Sequence, residues 1–137
     1  MIIDGRVEKR MSATLRTPRL LTLLGVLLIA AVGLIHLRGA LPHYRAAPYV
    51  GVLFVVNFVG ALVSAWGIYR DALWGWLLGV VVAGGALVAY VVSRSIGMPG
   101  MEQAVGRWLG PLGVLSLVVE VPFVALFVLV LILRRPL

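Results

Sequence analysis

The 137-residue chain contains no cysteine, two histidines and five acidic residues, and only twelve per cent of it is charged. Without cysteine there is no disulfide, no thiolate ligand and no thiol nucleophile, so any metal chemistry would fall to other side chains. A phosphate-binding glycine loop, a zinc-protease signature, a nucleophile elbow and a pair of catalytic carboxylates are all missing. No enzyme activity is therefore expected. Soluble sequence is scarce as well, since sixty-two per cent of the residues are apolar, more than a water-soluble core of this size requires.

What is present is apolar sequence in long runs. A membrane-crossing helix needs roughly 20 predominantly apolar residues, and four segments meet that length: Leu20–Leu37, Tyr49–Tyr69, Ala72–Val92 and Leu112–Leu133. The expected fold is an all-α membrane protein, a four-helix transmembrane bundle over residues 20–137 preceded by a basic leader at 1–19. The first run follows basic residues as a secretory signal would, but no small-residue cleavage site closes it, so it reads as a retained span.

The formal charge of +7 comes from arginine and lysine placed mostly at helix ends. Arg6, Lys9, Arg10, Arg16, Arg19, Arg70, Arg134 and Arg135 fall on one side of the four spans, against Arg38, Arg45, Arg94 and Arg107 on the other. The positive-inside rule then puts both termini of a multi-pass membrane protein in the cytoplasm. Anionic inner-leaflet lipid, met by Arg6, Lys9, Arg10, Arg16 and Arg19, is the expected partner of the leader, and nucleic acid is not. Ile3, Val7, Met11 and Leu15 recur every four residues, which fits an amphipathic helix on that leaflet, with a disordered basic tail as the alternative. Thr17 and Pro18 make a helix start, a capping hydroxyl followed by proline at the first helical position.

Little more than Arg70 and Asp71 separates the second and third spans, which makes them antiparallel neighbours. Trp66, Tyr69, Trp74 and Trp76 flank that turn as an inner aromatic belt, and Tyr44, Tyr49 and Trp108 suit the outer interface. The outer connections are a short loop, Arg38–Pro48, and a longer one at 93–111. In the longer loop Met101, Val105, Trp108 and Leu109 are spaced for a short interfacial helix, and the loop serves either as a lid or as a plain connector.

Polar groups inside hydrocarbon are costly unless partnered, so the few found there carry most of the functional information. Glu120 stands about 12 Å below the outer end of the fourth span at 1.5 Å per residue, and Asn57 has nearly the same depth on the second. The two are expected to face each other and to bond. Gly113, Ser116 and Glu120 share one helix face, as do Asn57, Gly60, Ser64 and Gly67. On the third span Gly75, Gly79, Ala83, Ala86, Tyr90 and Ser93 form a stripe that turns polar toward the outside, and the first offers Thr22, Gly25, Ile29, Val32 and His36. Pro122 frees the carbonyl of Val118 within a turn of Glu120.

His36 and His43, seven residues apart, are a weak candidate metal pair that would need a third ligand such as Glu120 or Met98. Haem fits less well, because histidines this close in sequence would have to lie on opposed sides of a macrocycle. Arg94 reaches either inward to Glu120 or outward to lipid phosphate.

His36, the His43-Tyr44 pair, the turn Ser93-Arg94-Ser95-Ile96-Gly97-Met98-Pro99 and Glu120 together resemble the polar positions of a group of small four-span membrane proteins found in bacteria, especially actinobacteria. The resemblance runs from about Gly33 to Pro122. Ser95 stands where that group has threonine, and Arg45 follows the His-Tyr pair where an acid is common, which weakens a metal site in that loop. The group implies the fold and lends no activity.

The functional expectation is a polar site in the outer half of the bundle. It would hold a small ligand or ion through His36, Asn57, Tyr90, Arg94 and Glu120, or belong to an accessory subunit docked on other membrane proteins. A homo-oligomeric proton- or cation-coupled carrier or channel, and a purely structural assembly factor, are the alternatives.

Overall fold

The computed structural model describes residues 5–6 and 16–135. The leader stripe of Ile3, Val7, Met11 and Leu15, with Lys9 and Arg10, lies outside them. Among the described residues from 16 onward, four α-helices follow one another: α1 (Arg19–Ala46), α2 (Pro48–Tyr69), α3 (Leu73–Ser95) and α4 (Pro111–Leu133). Each is long and apolar enough to cross a bilayer, which makes the chain a multi-pass membrane protein with an all-helical fold. Each packs on its two neighbours in ring order, while α1 and α3 stand diagonally and scarcely touch. Both termini of the helical domain and the α2–α3 turn share one end, here called basal. The α1–α2 corner and the α3–α4 loop share the distal end.

The exterior is apolar, with Leu20, Leu27, Leu34, Val81, Val88 and Val118 all more than half exposed, as lipid contact demands. The interior differs between the two halves. Basally, Ile29, Val32, Ile68, Trp76, Phe123, Leu126 and Val130 form a dry core. There α2 and α3 cross backbone to backbone, since a Cβ built on Gly67 would lie 2.7 Å from Gly75 Cα. Ser64 Oγ donates to Gly75 O at 2.7 Å across the same crossing, and such close approach is what small residues provide in a membrane.

Several local expectations need correction. The first helix runs on to Ala46 through Pro42, so the stretch from Arg38 to Ala46 is helical and the outer loop is reduced to the corner at Ala47. Hydropathy falls at Arg38 because the helix leaves hydrocarbon, not because it ends: 28 residues at 1.5 Å make about 42 Å, longer than the ~30 Å apolar core. Pro18 is the N-cap with extended backbone, and no side chain caps the helix. Thr17 Oγ1 instead accepts from Arg134 Nε at 2.8 Å. Trp76 does not join the belt: it is fully buried and stacks on Phe123 at 5.8 Å between centroids. Trp66, Tyr69 and Trp74 do face outward.

The α3–α4 loop forms only a single 3-10 turn, Glu102–Ala104, in place of the interfacial helix. Gly100 and Gly106 flank that turn with φ of 77° each, a left-handed backbone that interrupts helix on both sides.

Candidate functional site: a polar cavity in the distal half

Where the basal half is packed, the distal half holds a partly open cavity of about 630 Å³, a size that suits a small organic molecule. His36, His43, Asn57, Tyr90, Arg94 and Glu120 all line it, together with Ser93 and Ser116. The five ligand-site candidates and the second histidine thus share one space. The remaining wall is apolar.

The α1 and α4 wall carries the most buried polar pair. Glu120 is 1% exposed and His36 7%. The Nδ1–H of His36 donates to Val32 O at 2.8 Å; a carbonyl only accepts, so in the neutral ring Nε2 is left as a lone-pair acceptor. That atom stands 3.8 Å from Glu120 Oε1, beyond hydrogen-bond reach. Ser116, one turn before Glu120, donates its hydroxyl to the same carboxyl oxygen. Backbone and serine therefore orient the imidazole and the carboxyl toward each other, and neither completes the other's bonding.

Asn57 does not bond Glu120. Its amide Nδ2 donates to Val82 O on α3 at 3.1 Å, while its Oδ1 is buried without a partner. The amide donor is taken by a backbone carbonyl across the α2–α3 contact. Arg94 does not reach Glu120 either. Its guanidinium carbon lies 4.9 Å from the Tyr90 ring centroid, Nη1 donates to Ser93 Oγ at 3.4 Å, and Nε is buried without a partner. Tyr90 itself donates to Trp108 O in the distal loop. Asn57 Oδ1 and Arg94 Nε are thus both unspent, and both are shut off from contact with a water-sized molecule, although other parts of the two side chains line the cavity.

The metal expectation gains nothing from the geometry. His43 Nδ1–H donates to Gly39 O at 2.7 Å, and Phe54 packs against both rings, 4.9 Å from His36 and 4.2 Å from His43 between centroids. Among the described residues no three histidine, aspartate or glutamate side chains come together as ligands. Phe54 was not singled out in the sequence, although its spacing of three from Asn57 places both on one helix face and was the available signal.

The distal loop roofs the cavity. Met98, Met101 and Gly110 line it from above, and the loop is tied to α2 by Tyr49 Oη donating to Pro99 O at 2.7 Å and to α3 by Gly106 N–H donating to Arg94 O at 2.8 Å. Glu102 accepts the Gly100 amide at 2.9 Å. Hydrogen bonds from its own amide and from that of Gly100 hold its carboxyl below the usual carboxylate range. Comparison with protein-family models, with curated proteins and with solved structures found no match.

Proposed function

We propose that this membrane protein binds a small molecule in its distal cavity, with the hydrogen-bonding end of that molecule seated between His36 and Glu120. The observation that carries the reading is the 3.8 Å separation of His36 Nε2 and Glu120 Oε1 inside a largely apolar space. Each group already has one partner, Ser116 for the carboxyl and Val32 O for the imidazole, and each keeps a further hydrogen-bonding position that the other does not fill, where a bridging ligand gains about 0.5–1.5 kcal/mol per bond. Asn57 and Arg94, which line the same cavity, supply a second pair of contacts. With the termini cytoplasmic, as the charge distribution implies, the site faces the outer leaflet.

The test is to purify the protein in mild detergent and to identify by mass spectrometry what small molecules come with it. Glu120→Gln and His36→Phe are expected to deplete one co-purifying species about tenfold, the equivalent of one lost buried hydrogen bond. Equal amounts in both variants and the parent chain would refute the reading.

A further inference from the structure

Resting on that reading, we propose that the ligand reaches the cavity from the bilayer, between the distal halves of α2 and α3, and that it is a lipid-dissolved molecule with an uncharged hydroxyl- or carbonyl-bearing end. The α2–α3 seam is sealed basally and open distally. From the Gly67–Gly75 crossing it runs through Ser64 Oγ on Gly75 O to a last bond, Asn57 Nδ2 on Val82 O. Around that bond and beyond it, residues of the seam belong to the cavity and to the outside at once. Leu53, Val56 and Val81 line the cavity and are nevertheless 52%, 59% and 70% exposed. A Cβ built on Gly85, also part of the lining, would meet nothing within 4 Å. A mouth edged by exposed leucine and valine on two membrane-spanning helices opens onto lipid, not water. The water side is the one that the loop covers, held by Tyr49 on Pro99 and Gly106 on Arg94.

The route selects the chemistry. A formal charge crossing hydrocarbon to reach this mouth would be penalised by several kcal/mol, whereas a hydroxyl or carbonyl on a long apolar body already partitions there. Inside, a hydroxyl finds the lone pair of His36 Nε2, and a carbonyl or ether oxygen finds the Arg94 guanidinium at the cavity wall. The apolar body has the α2 and α3 walls to lie against. No bond is made or broken.

A photoactivatable, diazirine-bearing long-chain alcohol in phosphatidylcholine–phosphatidylglycerol nanodiscs tests this, with the matching carboxylic acid and quaternary amine as comparisons. Adducts are mapped by peptide mass spectrometry. The alcohol is expected to label the cavity-lining peptides of α2 and α3, and Gly85→Trp, which plugs the mouth, to lower that labelling about tenfold. Val81→Trp repeats the plug from the neighbouring turn. Gly84→Trp, whose side chain also enters open space but is no part of the cavity wall, is expected to leave labelling unchanged, which separates plugging from misfolding. Labelling that persists in folded Gly85→Trp and Val81→Trp chains overturns the lateral route, and stronger labelling by the acid or the amine overturns the uncharged end. Either failure can occur while the co-purifying species still depends on Glu120 and His36, so the two readings fall separately.

Discussion

At the scale of single residues, the interior of this protein is set by which positions are too small to keep helices apart. Gly67 and Gly75 meet where any side chain would strike backbone, and backbone cannot swing aside as a side-chain tip can. Gly67→Val is therefore expected to cost about 2 kcal/mol or more, within the range for overpacking, read as a lowered unfolding temperature in detergent. Gly84→Val, in open space, should shift that temperature little. A result in which the two variants behave alike would contradict the crossing. Much of this was legible from spacing: Thr22, Gly25, Ile29 and Val32, and Gly75, Gly79 and Ala83, were grouped by helical periodicity and all are buried. What spacing could not supply is the partner of each polar atom. Asn57 and Glu120 have like depth by residue count, yet they stand on diagonal helices of the ring, and a backbone carbonyl at Val82 and a hydroxyl at Ser116 are their partners.

At the scale of elements, two tethers hold the ends of the helices. Basally, Arg134 at the end of α4 donates to the carboxylate of Asp71 and to Asp71 O in the α2–α3 turn, and to Thr17 before α1. One side chain thus joins three segments that are distant in sequence. Asp71 has φ of 57°, a conformation that asparagine also tolerates, so Asp71→Asn removes the charge without disturbing the turn. It is expected to lower stability by about 1 kcal/mol, between a surface ion pair and a buried one, measured by thermal unfolding in micelles. No lowering would make the clasp incidental. Distally, the loop depends on Glu102 in its ionised form. Because the folded carboxyl titrates below its unfolded value, the hold is present above the unfolded value, about pH 4.3, and is lost as pH falls through the lower folded one. Amide hydrogen exchange around Gly100 should quicken in that acid window and at any pH in Glu102→Gln; exchange that ignores both changes would contradict the cap. Neither tether was visible in hydropathy, which reports solvent and not hydrogen-bond partners.

At the scale of the molecule, four apolar helices in ring order with a packed basal half and a hollow distal half form an asymmetric bundle. The spans and their antiparallel order could be read directly from run length and the two-residue turn at Arg70 and Asp71. The hollow could not, because a cavity depends on how whole helices sit against one another, and no single residue type signals it. Orientation is open to a simple assay that uses the absence of native cysteine: a membrane-impermeant maleimide on intact cells should label Ser95→Cys and spare Arg70→Cys, and the reverse pattern would invert the topology. The claim on which the functional reading depends is that the distal half is a binding space. It is tested most directly by a density map of the protein in a lipid nanodisc, inspected in the region framed by His36, Asn57 and Glu120. Elongated non-protein density touching His36 Nε2 and the Glu120 carboxyl is the expected result, and α2 closed on α3 along its whole length with Glu120 turned to lipid is the result that would contradict it.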